Sequence, residues 1–178
     1  MSNYRRIYVQ GGIYFFTVVL ENRKSDLLCQ YINEFRQAYA ETSSFYSFKT
    51  IAICVLPNHF HLIIQLAEID KNYSKILNSI KYNFSKRLPE KYKNPNQSKL
   101  NKRENGIWQR RFWTHLIGSE LDLEQHIHYV YFNPVKHGLV KRVIDWQYSS
   151  FHRDVKQGVY SSDWGNFVDD TSVNLYDD

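Results

Sequence analysis

Cysteine, proline and methionine are scarce in this chain of 178 residues, which has two, four and one of them and seven glycines. Cys29 and Cys54 lie in apolar surroundings and form neither a CxxC pair nor a disulfide-framework spacing. That pattern excludes a disulfide-stapled scaffold and predicts two buried thiols in a reducing compartment. No uninterrupted apolar run approaches the roughly 20 residues that span a bilayer, and the opening MSNYRRIYVQ has no apolar signal stretch behind it. The expectation is a soluble, unexported, cytoplasmic protein with no membrane partner. Internal repeats and long Gly/Ser linkers are also missing, so residues 1–178 are expected to form a single domain.

Positive charge is abundant and unevenly placed. The net charge of +5 hides an acidic tail, residues 163–178, with five aspartates and no Lys or Arg. Residues 1–162 hold 23 basic against 13 acidic residues, a net +10. Residues 71–111 alone hold twelve Lys and Arg against Glu90 and Glu104, interleaved with Tyr73, Tyr82, Phe84, Tyr92 and Trp108. Such a segment suits a partner with phosphates and stackable bases, although a solvated helix face has the same composition.

The order of elements sets the expected fold. IYFFTVVL (13–20) is β-branched and aromatic and reads as a strand. Leu27, Leu28, Tyr31, Ile32, Phe35 and Tyr39 recur at helical spacing, predicting one amphipathic helix over 26–41. A strand at 48–55 follows, then the breaker Pro57-Asn58, then FHLIIQL as the return strand of a hairpin. Residues 70–88 predict a helix that is apolar inside and basic outside, capped by Asp70. Residues 90–106 read as a mobile loop and GIWQRRFWTHLI (106–117) as a fourth strand. A last helix starts at Ser119, with Glu120, Asp122 and Glu124 at its positive end, and stops near Pro134 and Gly138. The sum is βαββαβ with an added helix, an α+β ferredoxin-like antiparallel sheet.

Two groups of residues carry candidate chemistry. His59 and His61 stand at i and i+2 on the third strand, so their imidazoles share one face about 6.6 Å apart along the strand. Such a pair either ligates a metal ion or is two ordinary half-buried histidines. On the last helix Tyr129 and Asn133 are separated by about 40° net and share a face, with His126 on that face and Tyr131 nearly opposite. Aromatic packing is the alternative for Tyr129, Tyr131 and Phe132. Because the residue before proline is biased away from helical angles, Asn133 is expected at a frayed helix end.

LPNHFHLII resembles the histidine-hydrophobe-histidine motif of HUH endonucleases, and YVYFNPVKHGLV resembles the tyrosine helix of the single-tyrosine transposases among them. With GGIYFFTVVL, GIWQRRFWTHLI, DWQYSSFH and GVYSSDWG, the order and spacing are similar to the REP-associated tyrosine transposases over about nine tenths of the chain. The resemblance implies that His59 and His61 are metal ligands, Tyr129 the nucleophile and Asn133 the third ligand, with Mg²⁺ or Mn²⁺ as cofactor. It implies nicking and rejoining of single-stranded DNA beside hairpins of REP-like palindromes, through a 5′-phosphotyrosine intermediate, and hence a nucleoid association. It leaves a homodimer open. Thr114-His115 departs from the family's acidic residue before His, so those positions are given no catalytic role. Lys75, Lys81, Lys86, Arg87, Arg110, Arg111 and Lys136 are the expected DNA-binding residues, with Trp108, Phe112 or Trp113 as candidates to stack a base. Two rival readings are a noncatalytic single-stranded nucleic-acid-binding module on the same sheet, and a metal-dependent hydrolase in which water attacks.

Overall fold

The apolar 13–20 run forms β1 (Ile13–Val19), and the elements after it follow the expected order. The computed structural model describes residues 8–93, 95, 97–101 and 105–166. After β1 come α1 (Leu27–Gln30), α2 (Ile32–Phe45), β2 (Phe48–Val55), β3 (His59–Leu66), α3 (Tyr73–Arg87), α4 (Gln97–Leu100), β4 (Trp113–Leu116), α5 (Glu120–Lys136) and α6 (Phe151–Lys156). The strands form one antiparallel sheet in the order β2-β3-β1-β4.

Side-chain alternation sends successive residues of β1 and β3 to opposite faces and builds two cores on one sheet. Tyr14, Phe16 and Val18 of β1 and Phe60, Leu62 and Ile64 of β3 pack under Phe35 of α2 and Ile76, Leu77, Ile80 and Phe84 of α3. Phe15 and Ile63 face the other way, with Ala52 and Cys54 of β2, and meet Tyr129, Val130, Tyr131 and Phe132 of α5 and Phe151 of α6. The two crossover helices thus share one face, as the element order requires, and the added helix α5 covers the other.

Several expectations are corrected in detail. The single helix expected over 26–41 breaks at Tyr31, whose φ −113° and ψ 42° are not helical, and α2 runs on to Phe45. The fourth strand is only Trp113–Leu116, preceded by an isolated bridge of Trp108 to Leu20. Strict alternation through 108, 110 and 112 would have turned Arg110 inward between two aromatics. The chain leaves the sheet instead, burying Trp108 and Phe112 while Arg110 and Arg111 stay exposed. Asp70 does not cap α3; its carboxylate accepts from the Asn72 N–H in the turn before the helix. Ser119 does cap α5, accepting from the Asp122 N–H at 3.1 Å.

The segment expected as a loop at 90–106 contains a 3₁₀ turn, Glu90–Tyr92, and α4; residues 94, 96 and 102–104 of it lie outside the described residues. So do residues 167–178, most of the acidic tail. Beyond α5 the chain returns to β2: the Val55 N–H donates to the Tyr148 carbonyl, the Ser150 N–H to the Ile53 carbonyl and the Trp146 indole to the Val55 carbonyl. These bonds cover an edge that would otherwise present unpaired backbone groups. Among the described residues no helix is long and apolar enough to cross a membrane.

Candidate functional site

Register places four residues in one row across the face that α5 covers: Cys54, His61, Thr17 and Trp113, one from each strand. Cys54 is buried, and loss of solvation pushes its thiol far up, so it serves there as a neutral packing group. Thr17 Oγ1 lies 3.0 Å from His61 Nδ1. That bond sets the orientation of the ring and turns Nε2 away from the strand, as hydrogen bonds to the far nitrogen do for metal-ligating histidines. His59 stands one pleat away on the same face, its ring centroid 4.8 Å from that of His61. The Asn58 amide donates through Nδ2 to the Arg23 carbonyl, so its Oδ1, 2.6 Å from His59 Nδ1, is an acceptor. With that acceptor beside it, Nδ1 is the donor nitrogen of the His59 ring.

α5 lowers Tyr129 and Asn133 onto the pair. The Tyr129 ring centroid is 5.1 Å from that of His61, and the phenol is 3% exposed. Asn133, fully buried, lies beside His61 closely enough to favour the protonated imidazole, yet its amide makes no aligned hydrogen bond. Its place is within the helix, which continues to Lys136 through Pro134; the expected fraying is absent. Proline removes one N–H near the helix end, and the turn is held by bonds from the N–H groups of His137 to the Asn133 carbonyl and of Leu139 to the Pro134 carbonyl.

Burial holds His61 well below the ordinary imidazole range; His59 and His137 push the same way, the Asn133 amide opposes, and Lys136 adds a further lowering. His61 is thus neutral and able to ligate. Its Nε2 and both amide atoms of Asn133 are buried without a hydrogen-bond partner among the described residues. Orphaned polar atoms of this kind cost about 1–3 kcal/mol each, and two imidazole nitrogens with one amide oxygen fit a bound cation.

Tyr131 is turned to other partners. Its hydroxyl donates to Asp154 Oδ2, and its ring packs with Phe151, Tyr160 and Trp164. Burial and the Asp154 carboxylate both push its phenol far up.

The expected DNA-binding residues divide. Lys136 reaches the site, its Nζ 5.3 Å from the Tyr129 ring centroid. Arg110 and Arg111 are exposed just before β4. Lys75, Lys81, Lys86 and Arg87 ride on α3, across the sheet from His61. Two of those four are engaged within the fold: Lys81 donates to the Gln109 carbonyl at 2.8 Å and Arg87 pairs with Glu41 at 2.7 Å.

Thr17 and His137 escaped the sequence reading. Thr17 is the single polar residue in IYFFTVVL, a detectable signal once β1 is known to pair with β3. His137, whose ring lies 5.3 Å from that of His59, caps the C-terminus of α5 and gave no such signal. A further cluster joins β4 to α5, where His115, Asp122 and His126 bring ligand atoms within 4.8 Å of one another, a group that could hold a metal ion. Asp122 already accepts from both: His115 Nε2 is 2.9 Å and His126 Nδ1 2.9 Å from its carboxylate. The two rings stack at 4.5 Å and 13°, so their in-plane lone pairs do not converge unless one ring turns.

With this geometry in place, comparison with known proteins is specific. A family model described as "Transposase IS200 like" matches residues 8–133. A Haemophilus influenzae protein described as a REP-associated tyrosine transposase is 53% identical over 169 residues, covering 95% of this chain and 96% of its own. The Escherichia coli REP-associated tyrosine transposase is 42% identical over 173 residues, covering 97% and 96%. A solved structure of a REP-associated tyrosine transposase bound to a REP hairpin is similar with TM-score 0.80 and 40% identity, over 97% of this chain and 96% of that one.

Proposed function

This chain belongs to the IS200-like transposases, in their REP-associated tyrosine branch, and on that premise we propose that it nicks and rejoins single-stranded DNA beside a hairpin, using Tyr129 as nucleophile. One observation carries the reading: the buried Tyr129 ring, the neutral His61 and the Asn133 amide come together between β3 and α5. Buried polar groups are ordinarily hydrogen-bonded, so His61 Nε2 and the Asn133 amide, orphaned side by side, favour a ligand between them.

His59, His61 and Asn133 would hold a divalent ion, Mg²⁺ or Mn²⁺, with open positions for oxygen ligands. When bound, that ion supplies charge neutralisation and polarisation at the scissile phosphate. Tyr129 Oη attacks phosphorus in line; the new P–O bond leaves the 5′ side joined to tyrosine, and the departing 3′ oxygen gains a proton. An ordinary phenol is only about one part in a thousand ionised at neutral pH, so Tyr129 gives up its proton as it attacks, with the Lys136 ammonium beside its ring. The phosphotyrosine conserves the diester, so a 3′ hydroxyl can attack it and rejoin the strand without ATP. Arg110, Arg111 and Lys136 supply phosphate contacts near the site, and the exposed lysines of α3 extend them to the far side of the domain.

The test is direct. Labelled hairpin-bearing single strands are incubated with protein and Mn²⁺ or Mg²⁺ and run under denaturing conditions. A protein–DNA adduct that Tyr129→Phe loses and Tyr131→Phe keeps supports the assignment. Binding without any adduct, or cleavage without one, would overturn it in favour of a binding module or a water-using hydrolase.

A further inference from the structure

Trp113 is a large aromatic residue left 44% exposed, and its position is not that of a stray surface side chain. It begins β4, stands opposite Thr17 in the row that contains His61, and so lies two strand spacings, about 10 Å, from that histidine on the same face. Behind it the His115 ring is parallel within 6° at 5.9 Å, and His126 continues the stack at 4.5 Å and 13°. Asp122 ties both imidazoles to the start of α5. Phe15 meets the indole edge-on at 5.4 Å. The tryptophan is thus held rigidly while much of its surface stays in water, and Arg110 and Arg111 are exposed just before it.

Rigid exposed aromatics beside basic side chains are what unpaired bases stack on. Trp108 and Phe112, the other candidates of that segment, are consumed by the first core. We propose that Trp113 is a stacking platform for one unpaired DNA base next to the scissile phosphate, with the His115–Asp122–His126 cluster acting as its structural backing. The proposal rests on the transposase reading for its ligand but not on the chemistry of Tyr129.

Binding is measured with the full-length protein in chelator, where cleavage does not interfere. The probes are a hairpin with a single-stranded flank, the same DNA with one abasic site at each flank position in turn, and the bare hairpin. Trp113→Ala should weaken binding of the flanked hairpin about tenfold to a hundredfold, Trp113→Phe should retain most of it, and the bare hairpin should be unaffected. At one flank position the abasic site should weaken the native protein by as much as Trp113→Ala does and add nothing to that variant. Additive losses at every position, an equal loss on the bare hairpin, or a changed oligomeric state with unchanged flank binding would overturn the proposal. Adduct formation is scored separately: coupling without any adduct would sink the nicking reaction and leave the platform standing, and adducts without coupling would do the reverse.

Discussion

The Tyr131 hydroxyl donates to Asp154 Oδ2 across 2.5 Å, while Tyr129, two residues earlier on α5, places its ring 5.1 Å from His61. Helix geometry thus gives neighbouring tyrosines separate duties. Tyr131→Phe removes one of two partners of a buried carboxylate, the other being Arg153, and should cost about 1–3 kcal/mol in denaturant melts while adducts still form. Tyr129→Phe should leave the melt nearly unchanged and abolish adducts. The opposite pattern would exchange the two roles.

Thr17→Val keeps the shape of the side chain and removes the hydroxyl that orients His61. Loss of an orienting partner typically weakens metal affinity or activity about tenfold to a hundredfold. Adduct yield should therefore require correspondingly more Mn²⁺, with the maximum recovered at saturation. An unchanged metal dependence would show that the bond plays no part in ligation.

Stability should fall as the medium is acidified. His61 and His126 are held below the ordinary imidazole value of 6.5, chiefly by burial. Their neutral forms are favoured in the fold, so the unfolded chain takes up protons first and stability declines as the pH drops through and below 6.5. Burial alone would raise Asp122, but the Gly118 N–H and His115 hold it below its ordinary 3.8; its contribution is present above that value and lost beneath it. Urea midpoints measured from about pH 8 to about pH 5 should drop, and His126→Asn should shrink the drop. A midpoint flat across that interval would contradict the burial of these rings.

Charge removal should separate the two sides of the sheet. Each lost phosphate contact reduces the dependence of log Kd on log salt by about one. Arg110→Ala, Arg111→Ala and Lys136→Ala should each do this for a flanked hairpin. Arg87→Ala should chiefly remove its partly exposed pair with Glu41, a stability loss of under about 1 kcal/mol, and leave the slope in place. Equal slopes for all four variants would mean that Arg87 leaves Glu41 to contact a phosphate.

Much of this arrangement was legible because two periods govern it. A period of two placed His59 and His61 on one face of β3, and a period of 3.6 placed Tyr129 and Asn133 on one face of α5. What those periods cannot say is which side of the sheet a helix will choose. The basic stripe of α3, expected among the DNA-binding residues, rides on the face of the sheet away from His61. Contacts between distant segments were equally hidden: Thr17 meets His61 only because β1 pairs with β3, and although DWQYSSFH stands out as a segment, nothing local in it says that it returns to β2 through backbone bonds and the Trp146 indole. β4 came out short because burying Trp108 and Phe112 without Arg110 overrode strand propensity.

Tyr129, His61 and Asn133 are also members of the packing that holds α5 to the sheet, with exposures of 3%, 0% and 0%. Under the proposed reaction a phosphate reaches these atoms only where that packing opens, so the grip of α5 on the sheet would bear on turnover as well as on melting. Variants that grip α5 more tightly would melt later and turn over more slowly, whereas variants that loosen it would gain speed before they lose the fold.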